Sequence, residues 1–71
     1  MAYKLTPLGD SKVLRIGEPR SPEDAILVFM YEQKDALNVE EIAGETRLPE
    51  EQTQRILNRL SSGDSKYVKE V

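Results

Sequence analysis

Residues 38–60, NVEEIAGETRLPEEQTQRILNRL, decide the fold because they contain the start signals of two successive helices. Asn38 followed by Glu41 is a capping box, in which the side chain at each position bonds the backbone of the other. Pro49 has the fixed φ that suits the first turn of a helix, and the two acids after it complement the positive helix end. We therefore predict one helix over residues 38–46 and another over 49–61.

The second of these helices divides into a core side and a water side. Apolar and small residues recur at helical spacing along one stripe, namely Thr53, Ile56, Leu57 and Leu60. Polar residues occupy the remaining positions, with Glu51, Arg55 and Asn58 opposite the stripe and Gln52, Gln54 and Arg59 on its flanks. We expect the stripe to pack inward and the polar side to meet solvent or a partner.

A third helix is predicted before this pair, over residues 21–34. Ser21 is a good N-cap, Pro22 suits the first helical position, and Asp24 completes a capping-box pattern. Residues 25–31 are apolar without interruption, which predicts that this helix is buried on most sides. After residue 61, the sequence Ser62-Gly63-Asp64-Ser65 predicts a turn, and residues 66–71 predict a strand.

The N-terminal residues 3–17 are the ambiguous part of the chain. Residues 3–6 alternate between apolar and polar, Gly9-Asp10 is a turn signal, and residues 12–16 are apolar and partly β-branched. This pattern favours a β-hairpin within residues 1–20. A short helix from Asp10 to Arg15 is the alternative.

Composition excludes several classes of function. The 71 residues include neither cysteine nor histidine, which removes disulfides, thiolate nucleophiles, the usual zinc ligands and every catalytic triad built on imidazole. We expect no enzyme activity, no metal and no cofactor. The longest apolar run is too short to span a bilayer and no signal peptide is evident, so we expect a cytoplasmic protein without membrane contact.

Residues 21–71 resemble the winged helix-turn-helix family. The similarity lies in the capped helix with Ile42-Ala43, the turn at Leu48-Pro49, the paired leucines Leu57 and Leu60, and Gly63 leading into a strand. It implies one α+β, mainly helical domain over residues 1–71, with three helices and a small β-sheet. The sequence reaches Val71 without a second wing strand, and we expect the N-terminal hairpin to join the C-terminal strand in its place.

The resemblance also implies a function, sequence-specific binding of double-stranded DNA in transcription regulation. It places Gln52, Gln54, Arg55 and Asn58 where base edges are read, and Arg47, Arg59, Lys66 and Lys69 where phosphates are contacted. Amide side chains suit adenine and arginine suits guanine. A domain this small has a limited footprint, so we expect it to act as a homodimer.

The acidic balance supports a different hypothesis, a winged-helix domain that binds a protein partner instead of DNA. The net charge is −3, whereas a domain that grips phosphates usually has a basic excess. Glu51 and Arg55 are spaced to form a surface ion pair, and helix 38–46 contributes Glu40, Glu41 and Glu45, which we interpret as a solvated face. Lys12, Arg15 and Arg20 are scattered and typical of solubilising surface.

Overall fold

The computed structural model describes residues 2–63 and 66–71, and these residues form four helices and three strands. In chain order the elements are β1 (Ala2–Leu5), α1 (Pro7–Ile16), α2 (Pro22–Gln33), β2 (Leu37–Asn38), α3 (Val39–Thr46), α4 (Glu50–Leu60) and β3 (Val68–Glu70). The expectation of an α+β, mainly helical domain is confirmed.

The sheet is antiparallel and has the strand order β2-β1-β3, so the first strand of the chain is its central strand. Tyr3 of β1 stands opposite Leu37 on one side and Glu70 on the other. The strands β2 and β3 come from distant parts of the sequence, and β1 joins them into one layer.

Helix α2 lies at the centre of the core, where it contacts α1, α3 and β1. Its predicted burial is confirmed for three side chains, since Ile26, Leu27 and Met30 are at most 2% exposed. The sheet covers this core with one face, which contributes Tyr3 and Val68. The other large side chains that are fully buried are Ile42 of α3 and Leu57 of α4.

The hairpin predicted within residues 1–20 is wrong. Of the described residues 2–20, only residues 2–5 form a strand, and the chain then enters α1, which is longer than the alternative helix from Asp10 to Arg15. Thr6 caps this helix by accepting a hydrogen bond from the Gly9 N–H at 3.1 Å, and Pro7 occupies its first turn. Gly9-Asp10 therefore lies in the first turn of a helix, and the described residues form four helices instead of the expected three.

Strand pairing at the two ends of the chain agrees with the expectation in part. The N-terminal segment does join the C-terminal strand, but through the single strand β1 and not through a hairpin. The predicted helices over 21–34, 38–46 and 49–61 correspond to α2, α3 and α4, and the predicted strand over 66–71 corresponds to β3. Of the predicted turn at residues 62–65, Asp64 and Ser65 lie outside the described residues.

The connection between α3 and α4 is a tight left-handed turn. Asn38 and Glu41 form the predicted capping box at the start of α3, with N···O distances of 2.8 and 3.4 Å. Arg47 ends α3 in the left-handed region at φ 59°, ψ 37°, a conformation that usually favours glycine or asparagine. Pro49 then begins α4 without any side-chain cap.

Candidate nucleic-acid interface

Helix α4 presents a buried side and an exposed side, as its sequence pattern predicts. Thr53, Ile56, Leu57 and Leu60 are all buried. The buried position of polar Thr53 is accommodated because its hydroxyl donates a hydrogen bond to the Pro49 carbonyl oxygen at 3.0 Å. Most of the polar positions of the helix are exposed, namely Glu50, Glu51, Gln52, Arg55, Asn58 and Arg59, and Gln54 is half-buried.

A chain of side-chain hydrogen bonds joins the central strand of the sheet to the exposed side of α4. The Gln54 Nε2 donates to the Tyr3 hydroxyl oxygen at 2.9 Å and to the Asn58 Oδ1 at 2.9 Å. Tyr3 is only 4% exposed, so it fixes the Gln54 amide from inside the domain. Asn58 is thereby oriented with its own amide N–H groups still available to a ligand.

Three of the predicted contact residues meet in one groove between α4 and β3, which we call the β3 groove. It has a volume of about 370 Å³. Its lining residues include Tyr3, Asn58, Ser61, Lys66, Lys69 and Glu70. An amide and two lysines thus share this surface with one carboxylate, an arrangement that can hold a phosphate beside a base edge.

Gln54 lies beside Asn58 on this side of α4, whereas Gln52, Arg55 and Arg59 lie on its opposite flank, where both arginines are paired with acids. Arg55 contacts Glu51 at 3.0 Å, and both side chains are more than 70% exposed. Arg59 reaches across to Glu23 of α2 at 2.6 Å. A depression of about 330 Å³, the α2–α4 depression, is lined by Glu23, Gln52, Arg55, Ile56 and Arg59.

The predicted site residues therefore form two groups instead of one continuous surface. Arg47 belongs to neither, since it stands exposed in the turn before α4. Sequence reasoning missed Tyr3 and Glu23, because each acts on α4 from an element far away in the sequence. Residues so far apart follow no sequence spacing, so only the three-dimensional structure shows that they contact α4.

Residues 2–63 and 66–71 contain neither a metal-binding cluster nor a membrane-spanning helix. No cluster of three or more acidic side chains has the geometry to hold a metal ion in this part of the chain. Within the same residues, every helix is too short or too polar to cross a bilayer.

Comparison of the chain with protein-family models, with curated proteins and with solved structures finds no match in any of the three. The case for a function therefore depends on the arrangement of residues around α4.

Proposed function

We propose that this chain is a winged-helix type of helix-turn-helix domain that binds double-stranded DNA sequence-specifically, in transcription regulation. One observation carries the proposal: α4 follows α3 through a tight turn, buries one side and leaves Arg55 and Asn58 exposed on the other. A helix of this form fits the major groove, whose width admits an α-helix.

Each group of residues around α4 has a part in the proposed complex. Asn58, oriented by Gln54, makes paired hydrogen bonds to adenine, and Arg55 makes them to guanine, each worth about 1–3 kcal/mol of discrimination. Lys66 and Lys69 in the β3 groove contact phosphates and fix the position of the domain. Two copies bind adjacent half-sites as a homodimer, which lengthens the footprint of a small domain.

The Glu51–Arg55 ion pair provides a sharp test, because its two members should change DNA affinity in opposite directions. Arg55→Gln removes a contact to a base and is expected to weaken binding of a duplex selected from a random pool by about tenfold or more. Glu51→Gln releases Arg55 and removes a negative charge near phosphates, so it is expected to tighten binding. The measurement is fluorescence anisotropy of the labelled duplex at low and moderate salt.

Glu32→Gln is the matched control for Glu51→Gln. Glu32 is exposed on α2, and each of the two changes removes one negative charge. It should leave the affinity within about twofold of the unchanged protein, a free-energy difference below about 0.5 kcal/mol. If Arg55→Gln and Glu51→Gln both leave duplex binding unchanged, α4 is not the reading helix.

A specific observation favours a second candidate, a winged-helix module that binds a protein partner. Both arginines of α4 are neutralised by carboxylates, and the first turns of α3 and α4 add Glu40, Glu41, Glu50 and Glu51. A surface whose arginines are paired with carboxylates attracts phosphate only weakly. Absence of duplex binding at low salt, together with capture of one defined protein that Arg55→Gln abolishes, would establish this candidate instead.

A further inference from the structure

The solvent side of the sheet carries a pair of lysines placed directly opposite each other. In the register of β1 with β3, Lys4 is the partner of Lys69, and directly opposed residues project from the same face. This face is the reverse of the one that buries Tyr3 and Val68, because side chains alternate along a strand. Two like charges opposed in this way disfavour the strand pairing unless an anion lies over them.

Further cations extend this face towards α1. The Thr6 N–H donates to the Tyr67 carbonyl oxygen at 3.0 Å, so Tyr67, two residues before Lys69, lies beside the start of α1. The Lys12 Nζ stands 5.9 Å from the centroid of the Tyr67 ring. Arg15 borders the same ring in a small depression beside Lys12. We name Lys4, Lys12, Arg15, Tyr67 and Lys69 the outer basic face.

The charge state of this face differs from that of α4. Within residues 2–63 and 66–71, none of its four cations forms an ion pair, whereas Arg55 and Arg59 both do. Three acids border the face: Asp10 and Asp35 line a cleft together with Lys4, and Glu70 lines the β3 groove together with Lys69. None of these carboxylates forms an ion pair with a cation of the face, and its four cations outnumber them.

We propose that the outer basic face binds the phosphate backbone of nucleic acid, and that Lys4 and Lys12 of the N-terminal elements are contact residues. The inference rests on the proposed function and adds to it a second surface away from α4. Lys69 belongs to both the outer basic face and the β3 groove, so a backbone that passes Asn58 can continue onto the face. These contacts carry no sequence information and supply affinity alone.

The first experiment measures the affinity for a random-sequence duplex between about 50 and 200 mM salt. Removing one lysine that binds a phosphate should lower the magnitude of the slope of log K against log salt concentration by about 0.9, so Lys4→Gln combined with Lys12→Gln should lower it by about 2. Arg20→Gln is the control, because Arg20 is exposed in the loop before α2 and outside the face. The control should lower the slope by less than half as much as either single lysine change.

A second experiment tests the face without any duplex. Amide chemical shifts are followed while inorganic tripolyphosphate is added. The shifts of Lys4, Lys12, Tyr67 and Lys69 should move most, and the double variant should abolish their movement.

If the duplex binds but the double variant matches the control, the face is refuted while the role of α4 stands. If no duplex binds yet tripolyphosphate moves these amides, the proposed function fails and the anion site stands. Shifts spread equally over Arg20 and Arg47 overturn the site.

Discussion

The N-terminal segment β1–α1 and the pair α3–α4 are held in place by different kinds of interaction. The pair begins with a capping box and a proline, both local signals that residues 38–60 contain by themselves. The segment is held by contacts with residues at the far end of the sequence, since Thr6 bonds the backbone of both Lys66 and Tyr67. Local signals can be read from a sequence, whereas contacts between distant residues cannot.

Two glycines make this difference measurable, because each lies within a helix but only one has no space for a side chain. A Cβ added at Gly9 of α1 would stand 2.1 Å from the Tyr67 carbonyl oxygen, whereas a Cβ at Gly44 of α3 would meet nothing within 4 Å. Gly9 is therefore required by the packing of α1 on the chain before β3. Gly44 is required by nothing in the described structure.

The largest expected effect is that of Gly9→Ala. The new methyl group collides with a backbone oxygen that cannot rotate away, so α1 must separate from the sheet at a cost of about 3 kcal/mol. For a domain of this size we expect the melting temperature to fall by roughly 12–24 °C, as measured by circular dichroism. A loss below about 1 kcal/mol would show that α1 is not packed against Tyr67 as described.

Thr6→Val is expected to have the next largest effect, a loss of about 1–2 kcal/mol. Valine keeps the shape of threonine but removes the cap on Gly9 and the hydrogen bond donated to the Lys66 carbonyl oxygen. Urea unfolding measures the change in free energy. Thr46→Val is the matched control, since the Thr46 hydroxyl bonds only carbonyl oxygens of its own helix, and it should cost less than half as much.

In the pair α3–α4, Arg47→Gly should stabilise the protein by about 1 kcal/mol. Arg47 adopts φ 59°, where a Cβ is strained and glycine is not. Lys34 at the end of α2 has φ 60° and offers the same test in a second turn. If Arg47→Gly and Lys34→Gly both left the midpoint of urea unfolding unchanged, the native turns would relieve this strain in some other way.

The smallest expected effect is that of Gly44→Ala, a gain of about 0.5–1 kcal/mol. Alanine has the higher helix propensity, and the position opens to solvent. The same chemical change thus stabilises one helix and destabilises another. If Gly9→Ala and Gly44→Ala changed the free energy of unfolding in the same direction, the two regions would not differ in how they are held.

The sequence predicts the second half of the molecule well. The burial of Ile56, Leu57 and Leu60 follows from periodicity, and the start of α3 follows from its capping box. The segment β1–α1 is harder, because Thr6-Pro7 indicates a helix start while Gly9-Asp10 indicates a turn, and the close approach of Tyr67 to Gly9 comes from the far end of the sequence. The site shows the same limit: spacing finds Arg55 and Asn58, but the partners Tyr3 and Glu23 come from distant elements.

The central place of β1 has a consequence for folding kinetics. In the described sheet β3 pairs only with β1, so it gains no hydrogen-bonded neighbour until the two ends of the domain have met, whereas β2 needs β1 to reach only the middle of the chain. Closing so long a loop is entropically costly before any contact compensates it. We therefore infer that the helices and the β1–β2 pair assemble first and that β3 joins the sheet in a late step.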